Sequence, residues 1–147
     1  MTKKCEQLLQ SPLTDLDIRE AIEAIRFITR RYPALDYHGF VDSGSLLNKK
    51  NSMTQNRVLA AAHAIKRMSL CLKWVKRIHL RTTLNRDHSS YGYKHMVEGC
   101  AAGYYIPNGI FIAAALSLGV PYKIESKGSL NAIFPFSERS VRELTVY

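Results

Sequence analysis

Residues 85–98 read NRDHSSYGYKHMVE and carry the side chains best suited to hold an anion. Two serines, two histidines and flanking basic residues cluster where the pattern predicts that a helix begins. The free amides of a first helical turn lie at the positive end of the helix dipole and bind anions. Tyrosine and histidine rings can stack on bases or sugars. This segment therefore predicts an anion or nucleic-acid contact through Arg86, His88, Ser89, Ser90, Tyr91, Lys94 and His95.

A structural interpretation of the same segment stays open, in which a capped helix packs its tyrosines inward. Gly92 in the second turn costs about 1 kcal/mol relative to alanine, which suggests close approach of a neighbouring helix or a ligand. Catalysis is the weakest interpretation. His88 and His95 could act as acid and base on a phosphodiester if the helix begins early enough to place them on one face, which keeps a nuclease as a minor alternative.

Other catalytic and metal signatures do not occur. The chain has no GxSxG, P-loop or GxGxxG motif, and its acids are scattered. His88, His95 and Cys100 have no recognised metal-ligand spacing. We therefore expect no enzyme activity, no metal and no cofactor. The three cysteines cannot all pair and form no CxxC, which predicts a reducing compartment and a cytoplasmic location.

The positive charge is concentrated in the middle of the chain. The net charge is +9, and residues 49–94 hold 11 basic residues against the single acid Asp87, which gives this segment +10. Such a segment repels itself unless a polyanion is its partner, so DNA or RNA is the expected partner. A solvated basic face is the alternative.

These residues need elements to position them, and the clearest is a helix over residues 54–80. An apolar stripe through Ile65, Met68, Leu72 and Val75 predicts the face that meets the core. Basic residues lie on nearly the opposite face, with Arg67 and Arg81 beside them. The basic residues on that face are Lys66, Lys73 and Arg77. Leu70 and Trp74 interrupt it, so another element or a partner is expected to cover part of it.

The remaining patterns predict further helices over residues 15–31, 90–100 and 108–118. The last of these is apolar on almost every side and is expected to be central. Residues 82–89 read as a connector. Residues 122–124 and 132–136 predict a hairpin, with Pro135 marking its second strand as an edge strand.

We therefore predict a mainly α protein, a compact bundle of about four helices with a small C-terminal β-hairpin. A chain of 147 residues is expected to form one domain, 1–147. Within it, residues 1–13 read as a partly ordered lead-in and residues 34–53 as a long polar loop. The longest apolar run, residues 110–116, is too short to span a bilayer, so no membrane is expected.

Two helices joined by a short turn, 90–101 and 108–118, suggest a helix-turn-helix. A recognition helix offers polar groups to base edges from its first turns, whereas residues 110–118 are apolar. Asn108 could touch a base, but the rest of the helix could not. We therefore reject a standard major-groove helix here, and expect binding mainly to phosphates.

Residues 89–98, 105–115 and 131–134, with Gly119, follow a pattern of SSYGxKHxxE, YIxNGxFIAAA, a glycine and Asn-Ala-x-Phe. In this the chain resembles small uncharacterised proteins carried by plasmids and phages of Gram-negative bacteria. The resemblance covers about a third of the chain and implies a mobile-element setting, without an activity.

Together these observations predict a non-enzymatic, nucleic-acid-binding protein of a mobile genetic element. The alternative is a protein-interaction module that inhibits or assists a host defence, restriction or replication complex. The position of Trp74 on the polar face of the predicted helix and the mobile-element resemblance motivate that alternative.

Overall fold

The computed structural model describes residues 3–36, 38–40 and 53–145, with the side chains of the third helix described from residue 63 onward. The helices are α1 (Lys4–Leu9), α2 (Asp15–Arg31), α3 (Met53–Lys76), α4 (Ser90–Cys100), α5 (Asn108–Ser117) and α6 (Glu138–Thr145). The strands are β1 (Leu35–Asp36), β2 (Gly39–Phe40), β3 (Leu80–Asn85), β4 (Lys123–Ile124) and β5 (Ala132–Phe136). The mainly helical prediction is confirmed, although the described part holds six helices where about four were expected.

Helix α2 begins and packs as its sequence predicts. Thr14 caps it by accepting a hydrogen bond from the Asp17 amide, and the Asp17 carboxylate accepts one from the Thr14 amide. This reciprocal capping satisfies amides that have no partner within the helix. Ala21, Ala24 and Ile28 form its buried side.

The centre of the molecule is built from α3 and α5. Residues 109–116 of α5 are all buried, which confirms the central position expected for this helix. Residues 68–72 of α3 are also buried without a break, and Trp74 is completely so. The face carrying Leu70 and Trp74 is therefore covered by the chain's own core. None of the described helices combines the length and the apolar character needed to cross a membrane.

Trp74 belongs to an aromatic cluster with Tyr93, Phe111, Phe134 and Phe136. Their ring centroids lie 5.0 to 6.5 Å apart, mostly in tilted or edge-to-face arrangements. Such geometry suits the ring quadrupoles. The cluster joins α3, α4, α5 and β5, and so fixes where α4 lies.

A three-stranded antiparallel sheet has the order β3-β5-β4. Residues 123–124 pair with residues 132–133, so the hairpin predicted over residues 122–124 and 132–136 forms over part of its expected length. Two other predictions are wrong. Residues 80–85, expected as the end of a helix and a connector, form β3, and β5 is the middle strand, where an edge strand was expected from Pro135.

Strand β3 accommodates Pro135 through a bulge. Leu80 pairs with Phe136 and Asn85 pairs with Phe134. Between these two pairs β3 advances by five residues and β5 by only two, so β3 contains three extra residues that form the bulge. The bulge lies opposite Pro135, which has no amide hydrogen to donate.

The N-terminal residues are more ordered than expected. Residues 4–9 of the predicted lead-in form α1, and Cys5 and Leu9 are buried. Cys5 forms a disulfide with Cys100 at the end of α4, while Cys71 is a buried free thiol. The disulfide differs from the expectation that the cysteines are reduced, whereas the cytoplasmic location stays a prediction.

The predicted polar loop 34–53 is described only in part. Its first residues form an antiparallel hairpin in which Leu35 pairs with Phe40 and Asp36 with Gly39. Residue 37 and residues 41–52 lie outside the described residues.

Candidate nucleic-acid interface

The basic residues of α3 do not form one free stripe. Lys73 pairs with Asp17 of α2 at 3.1 Å, and Lys76 pairs with Glu20. Hydrogen bonds from Thr14 and Lys73 hold the pKa of Asp17 below its usual value against the opposing effect of burial. Of the predicted stripe, α2 thus neutralises Lys73, whereas Lys66 lies over the Tyr104 ring. Lys76 was not part of that stripe.

Lys66 and Arg67 face the loop between α4 and α5. The Lys66 Nζ lies 4.5 Å and the Arg67 guanidinium carbon 4.7 Å from the centroid of the Tyr104 ring. The Arg67 Nε donates a hydrogen bond of 2.8 Å to the Tyr105 carbonyl oxygen. The contacts of Lys66 and Arg67 with the Tyr104 ring lie within the distance of a cation–π interaction. Neither side chain forms an ion pair with an acid in the described part of the chain.

Lys94 of α4 also contacts tyrosine rings in this region. It is only 4% exposed, and its Nζ lies 4.7 Å from the Tyr105 ring centroid and 5.1 Å from that of Tyr91. The Tyr91 ring meets His95 edge-on at 4.6 Å. Tyr91 and Tyr105 are 52% and 54% exposed. We call the set the tyrosine–cation surface, and it consists of Lys66, Arg67, Tyr91, Lys94, His95, Tyr104 and Tyr105.

Glu98 links several parts of this surface through its carboxylate. Its carboxylate accepts hydrogen bonds from the Ile106 amide at 2.8 Å, from His95 Nδ1 at 2.7 Å and from Lys94 Nζ at 3.2 Å. Burial raises the pKa of Glu98, but these three donors outweigh it and leave the pKa below its usual value. Glu98 therefore ties the loop that contains Tyr104 and Tyr105 to helix α4.

A second basic region is a cleft of about 740 Å³ bordered by α1, α3 and α6. Lys4, Lys73, Arg77 and His79 line it, together with Glu143 of α6. Arg77 is exposed and forms no ion pair with a described acid. This cleft brings together the predicted contact residues Lys73 and Arg77.

Arg81 lies within the bulged strand β3, and Arg86 directly follows that strand. Arg81 is exposed, but its guanidinium donates to the carbonyl oxygens of Thr83 and Leu84 and so supports the bulge. Arg86 is exposed. The structure thus separates the predicted contact residues into the tyrosine–cation surface, the cleft and the β3 bulge.

Several predicted contact residues have structural roles instead. Ser90 is fully buried and its hydroxyl accepts a hydrogen bond from the Ala132 amide. Asn108 is 7% exposed and donates to the His38 carbonyl oxygen and to the side-chain oxygen of Asn131. Burial keeps both from contacting a nucleic acid. The ammonium group of Lys94, which is 4% exposed and paired with Glu98, is withdrawn in the same way, so the prediction of all three as direct contacts is wrong.

At the start of α4, the predicted contact residue His88 is already paired with a carboxylate. Ser89 occupies the N-cap position without a side-chain capping bond. The His88 Nε2 lies 2.6 and 3.0 Å from the two carboxylate oxygens of Glu138. Gly92 has no close neighbour, since a Cβ there would meet only the His88 Cβ at 4.0 Å. The close approach of a neighbouring helix expected at this glycine does not occur, and the approach of a ligand stays a prediction.

The histidine geometry gives the nuclease alternative no support. His88 precedes the first residue of α4, so the one-face arrangement with His95 does not form. Each histidine binds a different carboxylate, Glu138 or Glu98. In the described ranges no group of three or more histidine, cysteine, aspartate or glutamate residues could hold a metal ion.

No protein-family model, curated protein or solved structure matches this chain. The site therefore has to be interpreted from its own geometry. The sequence prediction included Lys66, Arg67, Tyr91, Lys94 and His95 but missed Tyr104 and Tyr105. Two adjacent tyrosines between Gly103 and the Ile-Pro pair, in a segment with no helical pattern, were the available signal.

Proposed function

We propose that this protein binds nucleic acid without enzymatic activity, through the tyrosine–cation surface. The observation that carries the proposal is the combination of Lys66 and Arg67, which lack an acidic partner in the described part, with the exposed rings of Tyr91 and Tyr105. Cations bind phosphates and exposed rings stack on bases, so the arrangement offers both kinds of contact that a nucleic acid makes. The resemblance to plasmid and phage proteins suggests a mobile-element setting.

The cleft with Arg77 offers additional cations to the same polyanion. Lys73 contributes less there than its position suggested, since Asp17 already neutralises it. Arg86 and Arg81 lie beyond the end of α3 and add positive charge without forming the primary contact.

One of the two observations that suggested a protein-interaction module, the position of Trp74, no longer supports it. Trp74 was expected on a polar face, but it is fully buried among Tyr93, Phe111 and Phe136. Nucleic-acid binding is therefore the function that the arrangement supports best.

The test is a salt series on the double variant Lys66→Gln, Arg67→Gln. Binding to a labelled oligonucleotide is measured by fluorescence anisotropy at several salt concentrations. Each lost phosphate contact lowers the slope of log affinity against log salt by about 0.7 on a single strand and about 0.9 on a duplex. We expect the variant to bind more weakly, with a slope reduced by about 1.4 to 1.8.

The matched control is Arg30→Gln, Arg31→Gln, which removes the same charge from two adjacent arginines in the last turn of α2. The control should retain the wild-type slope. A second variant, Lys66→Glu, tests the surface without removing the hydrogen bond from Arg67 to Tyr105. Equal losses in the α2 control, or wild-type binding that does not change with salt, would refute the proposal.

A further inference from the structure

The two exposed tyrosines of the tyrosine–cation surface lie over one ammonium group. The Lys94 Nζ is within 5.1 Å of both ring centroids, so the Tyr91 and Tyr105 rings can be at most about twice that distance apart. Lys94 itself is almost completely buried, whereas about half of each tyrosine is exposed. The rings therefore cover the ammonium group, while about half of each tyrosine residue stays accessible to solvent and the His95 ring packs against that of Tyr91.

The burial of Lys94 limits what this ammonium can do. An ammonium covered by two rings and paired with Glu98 at 3.2 Å cannot reach out to a phosphate. Its contacts instead favour a fixed position for each ring, since cation–π attraction strengthens when the cation is desolvated. Rings held in place lose little conformational entropy when a ligand stacks on them.

Flat aromatic surface of this kind matches the face of a nucleobase. In a duplex the base faces are stacked on one another and only their edges are accessible. In a single strand each base face is available, and stacking on aromatic side chains is the usual source of affinity. Lys66 and Arg67, beside Tyr104 and Tyr105, supply positive charge for the adjoining phosphates.

We infer that the ligand of this surface is a single strand, whose bases stack on Tyr91 and Tyr105. The inference rests on the proposed function and narrows it to one class of nucleic acid. It requires no sequence-specific hydrogen bond, because every base has a face that can stack.

The experiment compares full-length protein binding to oligo-dT, to oligo-U and to a duplex, each of about 12 units, a length within the site sizes of stacking proteins. We expect both single strands to bind at least about tenfold more tightly than the duplex. Tyr91→Leu and Tyr105→Leu should each weaken single-strand binding about fivefold or more, with little effect on the duplex.

Two further measurements separate stacking from general disruption. Tyr91→Phe and Tyr105→Phe keep the ring and should retain wild-type affinity. The slope of log affinity against log salt should stay unchanged in the leucine variants, because the rings make no phosphate contact. Circular dichroism melting establishes that each variant is folded.

The outcomes distinguish this inference from the proposed function. Binding to neither strand form would refute the proposed function itself. Equal binding to single strand and duplex, with folded leucine variants unaffected, would overturn the inference and leave the proposed function standing. Loss of binding in the phenylalanine variants would overturn stacking in favour of hydrogen bonds from the tyrosine hydroxyls.

Discussion

Glu98 shows how one carboxylate can position a whole surface. Its carboxylate accepts hydrogen bonds from the backbone amide of Ile106, from the buried Lys94 and from the exposed His95. The side chains of Lys94 and Glu98 are 5% and 15% exposed, so the ion pair is largely desolvated. Removing one partner of such a pair leaves an uncompensated charge, which is costly.

Glu98→Gln is therefore expected to destabilise the protein by about 3 kcal/mol at neutral pH, measured by urea unfolding. The control is Glu143→Gln, which removes a carboxylate that pairs with Arg139 on the exposed side of α6 and should leave stability unchanged. A loss in the Glu98 variant no larger than in the control would contradict the positioning role.

The pH dependence of stability provides a second test of Glu98. Its folded-state pKa lies below the ordinary value of 4.5, so its contribution is complete above that value and is lost as the pH falls through the lower folded pKa. Wild-type protein should therefore lose stability on acidification below about pH 4.5, and Glu98→Gln should lose less. The variant should still lose some stability on acidification, because the pKa of Asp17 is also lowered in the folded protein.

Gly39 and Gly92 illustrate two glycines with opposite requirements. Gly39 has φ +126°, and a Cβ there would lie 2.2 Å from the Leu130 carbonyl oxygen. Gly92 lies within α4 and has open space. Gly39→Ala should cost roughly 1–3 kcal/mol or more, because of both strain and the clash.

Gly92→Ala should instead stabilise the protein by roughly 0.5–1 kcal/mol, because alanine favours the helix. The same urea experiment measures both variants. Destabilisation by Gly92→Ala would show that something closely approaches this glycine after all.

At the scale of elements, the disulfide joins α1 to the end of α4 across 95 residues of chain. It also anchors the segment that leads into Tyr104 and Tyr105, and the Gln10 side chain donates to the Cys100 carbonyl oxygen beside it. Both cysteines are buried, at 0% and 2% exposure. The disulfide thus gives a six-residue helix a fixed position that so short a helix could not keep alone.

Opening the disulfide by reduction or by Cys5→Ser, Cys100→Ser should lower the free energy of unfolding by about 2–4 kcal/mol, since the closed loop is long. Thermal unfolding with and without a dithiol reductant measures the effect. The serine variant should show no response to the reductant. A wild-type protein whose melting is equally insensitive, with three free thiols after denaturation, would contradict the bond.

The elements that the sequence predicted well have local signals. Thr14 marks the start of α2, and Gly119, with φ +78°, follows the end of α5. The elements that it missed depend on distant partners. Strand β3 exists because it pairs with β5, about fifty residues later, and α1 depends on Cys100. Neither partner is visible from local periodicity.

The same contrast holds for the site. The residues of 89–98 stood out by type, but their directions depend on packing. Ser90 turned inward to β5, and Lys94 became buried beneath two tyrosines. Tyr104 was missed because its role follows from Lys66 and Arg67, which approach it from another helix.

At the scale of the molecule, the positive charge of the middle segment is redistributed by folding. Asp17 of α2 neutralises Lys73, and Lys66 lies over the Tyr104 ring, so the predicted stripe of Lys66, Lys73 and Arg77 does not form one free surface. Glu20 neutralises Lys76, a basic residue outside that stripe. What persists is a shorter surface in which cations alternate with tyrosines. We propose that a nucleic-acid strand binds this tyrosine–cation surface.

The most direct test is an NMR titration of the labelled protein with oligo-dT, in which backbone amide shifts locate the contact. We predict the largest shifts at residues 66–67, 91–95 and 104–106, with residues 26–31 of α2 unaffected. Shifts centred on α2, or no shifts at all at a saturating oligonucleotide concentration, would contradict the account.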